Sequence, residues 1–187
     1  MNTMMRSFWP GLALSALMAA TRMHHFASSL HLPDASLAVF LLAGSLVESP
    51  LFFGFLLIEA GLLDYVAITH MGVSDYCVTS AYWFLIPTYA VLWVAGRAYA
   101  KIHQDTMRSL GLFSAISFAA VSAAFFISNS AFYLFSGRYP DMNMSEYASR
   151  VAQYYMPYVT SAVIYLVPAV LLYAVFKLGA NQAKHAG

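Results

Sequence analysis

Apolar residues gather into six runs along the chain: Phe8 to Ala20, Ala35 to Val47, Leu51 to Ile68, Ala81 to Tyr99, Leu110 to Leu134 and Tyr158 to Phe176. A helix needs about 20 apolar residues to cross the hydrocarbon of a bilayer. The runs predict six transmembrane helices near residues 8–22, 35–48, 51–69, 80–99, 109–134 and 158–178, an all-α membrane bundle in one domain, 1–187. The first two runs are short and borrow flanking residues. Pro33 and Pro50 bracket the second so closely that it either gains a turn or stops short of a crossing. Arg6 before the first run imitates a signal peptide. Met18 three residues before a cut at Ala20 fits the small-residue rule poorly, so an uncleaved helix is expected.

The breaks between the runs are unequal. Glu48-Ser49-Pro50 is a minimal turn and Gly96 to Ser109 a modest connection. Thr21 to Asp34, His70 to Ser80 and Ser128 to Pro157 are longer and hold much of the His, Tyr and Asp. The segment 128–157 reads as a lid with its own short helix. Asn143 and Glu146 have the spacing of an N-cap and its capping-box partner, and Glu146 and Arg150 lie four apart on one face. Composed loops over a small bundle point to a site at that end.

Composition sharpens the class. The chain is 61% hydrophobic and only 9% charged, with a mean hydropathy of +0.67, whereas a soluble domain carries about 25% charged residues. The lipid bilayer is therefore the expected surroundings. Nine Lys and Arg against eight Asp and Glu give no basic field for nucleic acid. No phosphate-cradling G-x-x-x-x-G-K-[ST] loop occurs, so ATP hydrolysis by that route is excluded. Arg6, Arg97, Lys101, Arg108, Lys177 and Lys184 fall on one side of the predicted bundle, and Arg22, Arg138 and Arg150 on the other. That asymmetry places both termini in the cytoplasm. In the first helix, Gly11, Ser15 and Ala19 recur every four residues, with Ala16 and Ala20 beside them. Such a stripe lets a neighbouring backbone approach, within the bundle or from a partner.

Candidate chemistry centres on Cys77, the single cysteine, in Gly72-Val-Ser-Asp-Tyr-Cys-Val-Thr-Ser-Ala-Tyr82. One cysteine allows no internal disulfide, no redox pair and no multi-cysteine zinc site. A lone Cys is commonly a small buried hydrophobe, but Ser74, Asp75, Thr79 and Ser80 make these surroundings polar. A thiolate is a soft ligand, suited to a metal whose other positions a macrocycle already fills. It is equally a nucleophile if a base is near. His70, His24, His25 and His31 stand at no spacing that identifies one as that base, and the adjacent His24 and His25 read as a surface pair.

Asp64 and Glu59 interrupt the third apolar run. Ionisable groups inside a membrane helix face the interior and have partners. Arg150 is the loop arginine best placed in sequence to reach Asp64, either within a site or as an ion pair that fastens the lid. Tyr82, five residues after Cys77, reads alone as an interfacial anchor.

Leu32-Pro-Asp-Ala-Ser-Leu-Ala-Val-Phe40 and the Cys77 stretch resemble BtuM-type cobalamin (vitamin B12) transporters, small proteins of the bacterial inner membrane. These are similar to the substrate-binding S-components of energy-coupling factor (ECF) transporters. The resemblance runs over essentially the whole chain, and the cysteine stretch is its most specific part. It implies a six-helix S-component fold with long outer loops over the site, and cobalamin as the carried ligand. It implies that Cys77 ligates the corrin cobalt and that Asp64, Tyr82 and Arg150 form the surrounding cluster. It further implies handling of the cofactor without a dedicated ATPase module and removal of a cyano ligand from the cobalt. Two other readings stand beside it. One is an S-component for another vitamin, working with an ECF ATPase module that docks on the first helix. The other is a membrane thiol enzyme using Cys77 with a histidine.

Overall fold

The computed structural model describes residues 3–22, 32–141 and 143–185; His24, His25 and His31 lie outside them. Six α-helices follow in order: α1 (Thr3–Arg22), α2 (Ser36–Leu46), α3 (Pro50–His70), α4 (Leu85–Ile102), α5 (Met107–Phe135) and α6 (Met144–His185). A 3-10 turn, Ser80–Phe84, leads into α4, and no strand occurs among the described residues.

Local chemistry sets the boundaries. Asp34 Oδ1 accepts from the backbone N–H and hydroxyl of Ser36 (2.9 and 2.7 Å), so Pro33-Asp34 turns the chain into α2. Pro50 occupies the first turn of α3, where its missing N–H costs nothing. Thr106 caps α5 by accepting from Ser109 N–H at 3.2 Å. Gly72 (φ +69°) and Gly137 (φ +70°) end α3 and α5 in the left-handed conformation that glycine adopts without Cβ strain.

The short α2 is the centre of the packing. All of Ser36 to Gly44 is buried, and α1, α3, α4 and α6 surround it. At 11 residues it extends about 16 Å, so the second run does stop short. Its closest neighbour is α4. A Cβ on Gly44 would fall 2.2 Å from the Trp93 carbonyl oxygen, and one on Gly96 would fall 2.1 Å from that of Leu41. The tightest backbone approach is therefore here rather than along the small-residue stripe of α1, where a Cβ on Gly11 would meet side chains alone, the Phe52 ring at 3.4 Å and Val47 Cγ2 at 3.8 Å. Phe40 stacks on Tyr89 with ring centroids 4.2 Å apart.

Outside this core the surface is apolar. Leu51, Ile58 and Leu62 on α3, Phe118 and Leu134 on α5, and Val167, Leu171 and Val175 on α6 are all more than half exposed. Soluble proteins do not present so continuous an apolar coat. Among the described residues three helices, α3, α5 and α6, are long and apolar enough to cross a bilayer. The molecule is an all-α membrane protein.

One expectation is overturned. The described residues of 128–157 form no separate lid helix: they comprise the end of α5, the turn 136–141, and the first turns of α6, which runs unbroken through Pro157 and Pro168. Proline within a membrane helix is tolerated where neighbours satisfy the freed backbone groups. The cap is as expected, with Asn143 Oδ1 accepting from Glu146 N–H at 2.9 Å.

Candidate functional site

Cys77 lies between α3 and α4, in a loop whose shape follows from its polar residues. The Gly72 turn sends Val73 N–H back to the Ala67 carbonyl (3.1 Å). Ser74 Oγ accepts from Tyr76 N–H (3.2 Å) and the Asp75 carbonyl from Val78 N–H (2.8 Å), so residues 74–78 close into a tight turn. Thr79 caps the following 3-10 turn through Ala81 N–H (3.3 Å). The turn leaves Cys77 exposed.

Tyr82, at the next turn of the chain, donates its hydroxyl to Asp64 Oδ2 at 2.7 Å. Two of the residues singled out by sequence are thus joined directly, and the thiol sits on the loop that runs from one to the other.

The cation facing Asp64 is Arg22, not Arg150. Arg22 Nε donates to Asp64 Oδ1 at 2.6 Å and Nη2 to Oδ2 at 2.7 Å, a bidentate pair. Nη1 reaches Asp34 Oδ2 (3.1 Å), Ser36 Oγ (2.8 Å) and Tyr89 OH (2.9 Å). The Arg22 side chain is 8% exposed and ties α1, the start of α2, α3 and α4 together. Both Asp64 oxygens already accept from donors, which makes this carboxylate an anchor for Tyr82 rather than a free base. Thr21 Oγ1, accepting from Ala35 N–H at 3.1 Å, and the Tyr165 hydroxyl, donating to the Pro33 carbonyl at 2.5 Å, hold the Asp34 segment in place.

Arg150 stands in a second cluster, on the other side of the Cys77 loop. Its Nη1 donates to Tyr139 OH (3.3 Å), its guanidinium lies over the Tyr139 ring at 4.6 Å, and Glu146 is 3.9 Å away. Tyr139 OH meets Tyr76 OH at 3.1 Å. Arg138 donates Nε to the Tyr76 carbonyl (3.1 Å) and covers the Tyr76 ring at 3.9 Å. Arg138, one residue past the Gly137 turn, is therefore what latches the cysteine loop to the α5–α6 connection.

The thiol lies between two arginine-centred groups. Although Cys77 is exposed, the loop around it partly desolvates the sulfur and pushes its pKa above the ordinary value, the Arg138 charge pulls it back, and the Asp64 charge adds to the rise. The group is a neutral thiol at neutral pH and becomes a ligand by losing its proton. Among the described residues no three His, Cys, Asp or Glu side chains gather into a metal site.

Sequence reasoning missed Arg22, Asp34, Tyr89 and Arg138. Arg22 carried a usable signal, since it ends α1 at the same end of the bundle as Asp64 and the Cys77 loop. Asp34 lay within one of the two stretches that carry the resemblance, without a role attached to it.

Two apolar grooves are found elsewhere. One, about 720 Å³, lies between α1 and α3 beside the Val47–Ser49 turn. The other, about 330 Å³, lies between α5 and α6. Neither includes Cys77. No protein-family model matches the chain, and no curated protein matches it significantly.

Proposed function

We propose that the chain binds a cobalt corrinoid of the cobalamin class at the exposed end of the bundle and carries it across the bacterial inner membrane. The observation that supports this most is the placement of Cys77: an exposed thiol on a short constrained loop, one side fixed through Tyr82, Asp64 and Arg22, the other through Tyr76 and Arg138. A corrin fills four equatorial positions of its metal, so one protein ligand on a rigid loop suffices. The apolar grooves lie away from the thiol, so the ring rests on the loop end of the molecule.

Ligation proceeds as a ligand exchange. The thiol gives its proton to solvent, a cobalt–sulfur bond forms, and a cyano or water ligand leaves with its electron pair. No electron changes hands. Asp64 keeps Tyr82, and hence the end of the loop, in place. Arg150 and Arg138 hold the α5–α6 turn beside the bound ring. In this reading the six helices form one bundle within the membrane, α2 enclosed by the others and too short to cross it alone, with the termini cytoplasmic, in the manner of an ECF S-component acting without its own ATPase.

The test is the visible spectrum of the protein purified from cells supplied with cobalamin. A cobalt–sulfur absorption signature is expected for the native chain and its complete loss for Cys77→Ala. An unchanged spectrum of bound corrin in Cys77→Ala rules out the ligation. Because the thiol must lose a proton to bind, the native signature strengthens as pH rises towards the thiol pKa.

A further inference from the structure

Glu59 is a second carboxyl of α3, unused by the site above. It lies nine residues into the helix, about 14 Å from its start, near the middle of a span. Oε1 accepts the Ser15 hydroxyl of α1 at 2.8 Å. Oε2 is buried and has no partner. No cation whose side chain is described balances it. On α1, Arg22 is taken by Asp64 and Asp34. On α4, Arg97 reaches the Val47 carbonyl and Tyr89 is bound to Arg22. The described part of α2 brings no titratable group. On α3 itself the only other acid is Asp64.

Around it the two directions differ. Towards the Cys77 loop, buried Met18 and Ala60 close the α1–α3 interface. Away from it, the 720 Å³ groove runs past Ser15, Gly11 and Phe52 to the turn that bears exposed Glu48. An ionised carboxylate at this depth, with one oxygen lacking any donor, is unfavourable, whereas the protonated acid is not.

We propose that Glu59 is a proton-binding site within the membrane, loaded and unloaded through the α1–α3 groove from the Glu48 end. It gives the chain a coupling ion independent of any ATPase, and it stands whether or not the ligand at Cys77 is a corrinoid. Ser15 tunes it: its donated hydrogen bond favours the carboxylate.

The test uses the full chain in liposomes and a lipid-soluble carbodiimide. This reagent adds a protonated carboxylic acid across its C=N bond, the proton passing to nitrogen and the carboxyl oxygen to carbon; the adduct rearranges to a stable acylurea without redox change. Peptide mass spectrometry is expected to find Glu59 modified at neutral pH, with labelling falling several-fold as pH rises. Glu59→Gln removes the label, and Ser15→Ala keeps it to higher pH. Gly11→Phe, which fills the groove, is expected to slow the response of labelling to a pH step several-fold. Glu59 unlabelled at every pH in the native chain, or labelled independently of pH, overturns the site. An unaltered response in Gly11→Phe overturns the route.

Discussion

Two arginine-centred clusters flank the Cys77 loop, built on opposite principles. The Arg22 cluster is buried. Its guanidinium uses every nitrogen, two carboxylates balance it, and its partners come from three other helices and the turn before α2. The Arg138–Arg150 cluster is exposed and relies on tyrosine faces and hydroxyls, with a single long ion pair to Glu146. Buried charge pairs are costly to break because each partner is left uncompensated. Exposed pairs and cation–π contacts contribute far less. The first cluster is thus a frame and the second a weaker fastening. The proposed ligand end would use both: a fixed seat for the loop and a side that yields to admit the ligand.

The largest effect that follows from this contrast is the loss of the frame. Arg22→Ala strands Asp64 and Asp34 in a largely buried setting and is expected to cost about 3–5 kcal/mol. Thermal denaturation in detergent should show the loss, or the variant should fail to accumulate. A stability within 1 kcal/mol of native, on the scale expected for exposed pairs, would erase the distinction between the clusters.

Arg138→Ala probes the fastening. It removes one exposed cation–π contact and one hydrogen bond to the Tyr76 carbonyl, together worth about 1–2 kcal/mol at most. The melting temperature should hardly move, while limited proteolysis within 72–80 and alkylation of Cys77 both accelerate. A cooperative loss of stability would instead make this cluster part of the frame.

How far these features were legible in the sequence follows the same division. The apolar runs located α3 and α5 to within a residue or two, because a membrane helix is written as composition. Asn143 and Glu146 marked a helix start, because a cap is written in adjacent residues; read as the start of a short lid helix, it is the start of α6. Proline misled at Pro157, read as the end of a lid although α6 passes through it. That Asp64 has a partner follows from its being an intramembrane acid, but Tyr82 was placed beside it only by the resemblance, and which arginine supplies the charge followed from neither. Arg22 and Asp64 are 42 residues apart, and only the packing of α1 on α3 brings them together. Loop arginines such as Arg150 and Arg138 can be placed at one end of the bundle by sequence, but not against particular rings, since their reach depends on how the Gly137 turn folds.

The smallest expected effect, and the finest discrimination between the clusters, is the titration of Cys77 itself. Each cluster presents the thiol with one charge of opposite sign: Arg138 favours the thiolate and Asp64 the neutral form. Burial outweighs both, so the midpoint of alkylation against pH should lie above that of an ordinary thiol. Arg138→Ala removes the favourable charge and moves the midpoint up. Asp64→Asn removes the unfavourable one and moves it down, and an Arg22 left with less compensation acts in the same downward direction. The two substitutions therefore shift one titration to opposite sides of the native curve. Shifts of the same sign would mean that the loop has rearranged in one of them and that the thiol no longer senses the two arginine groups from between them.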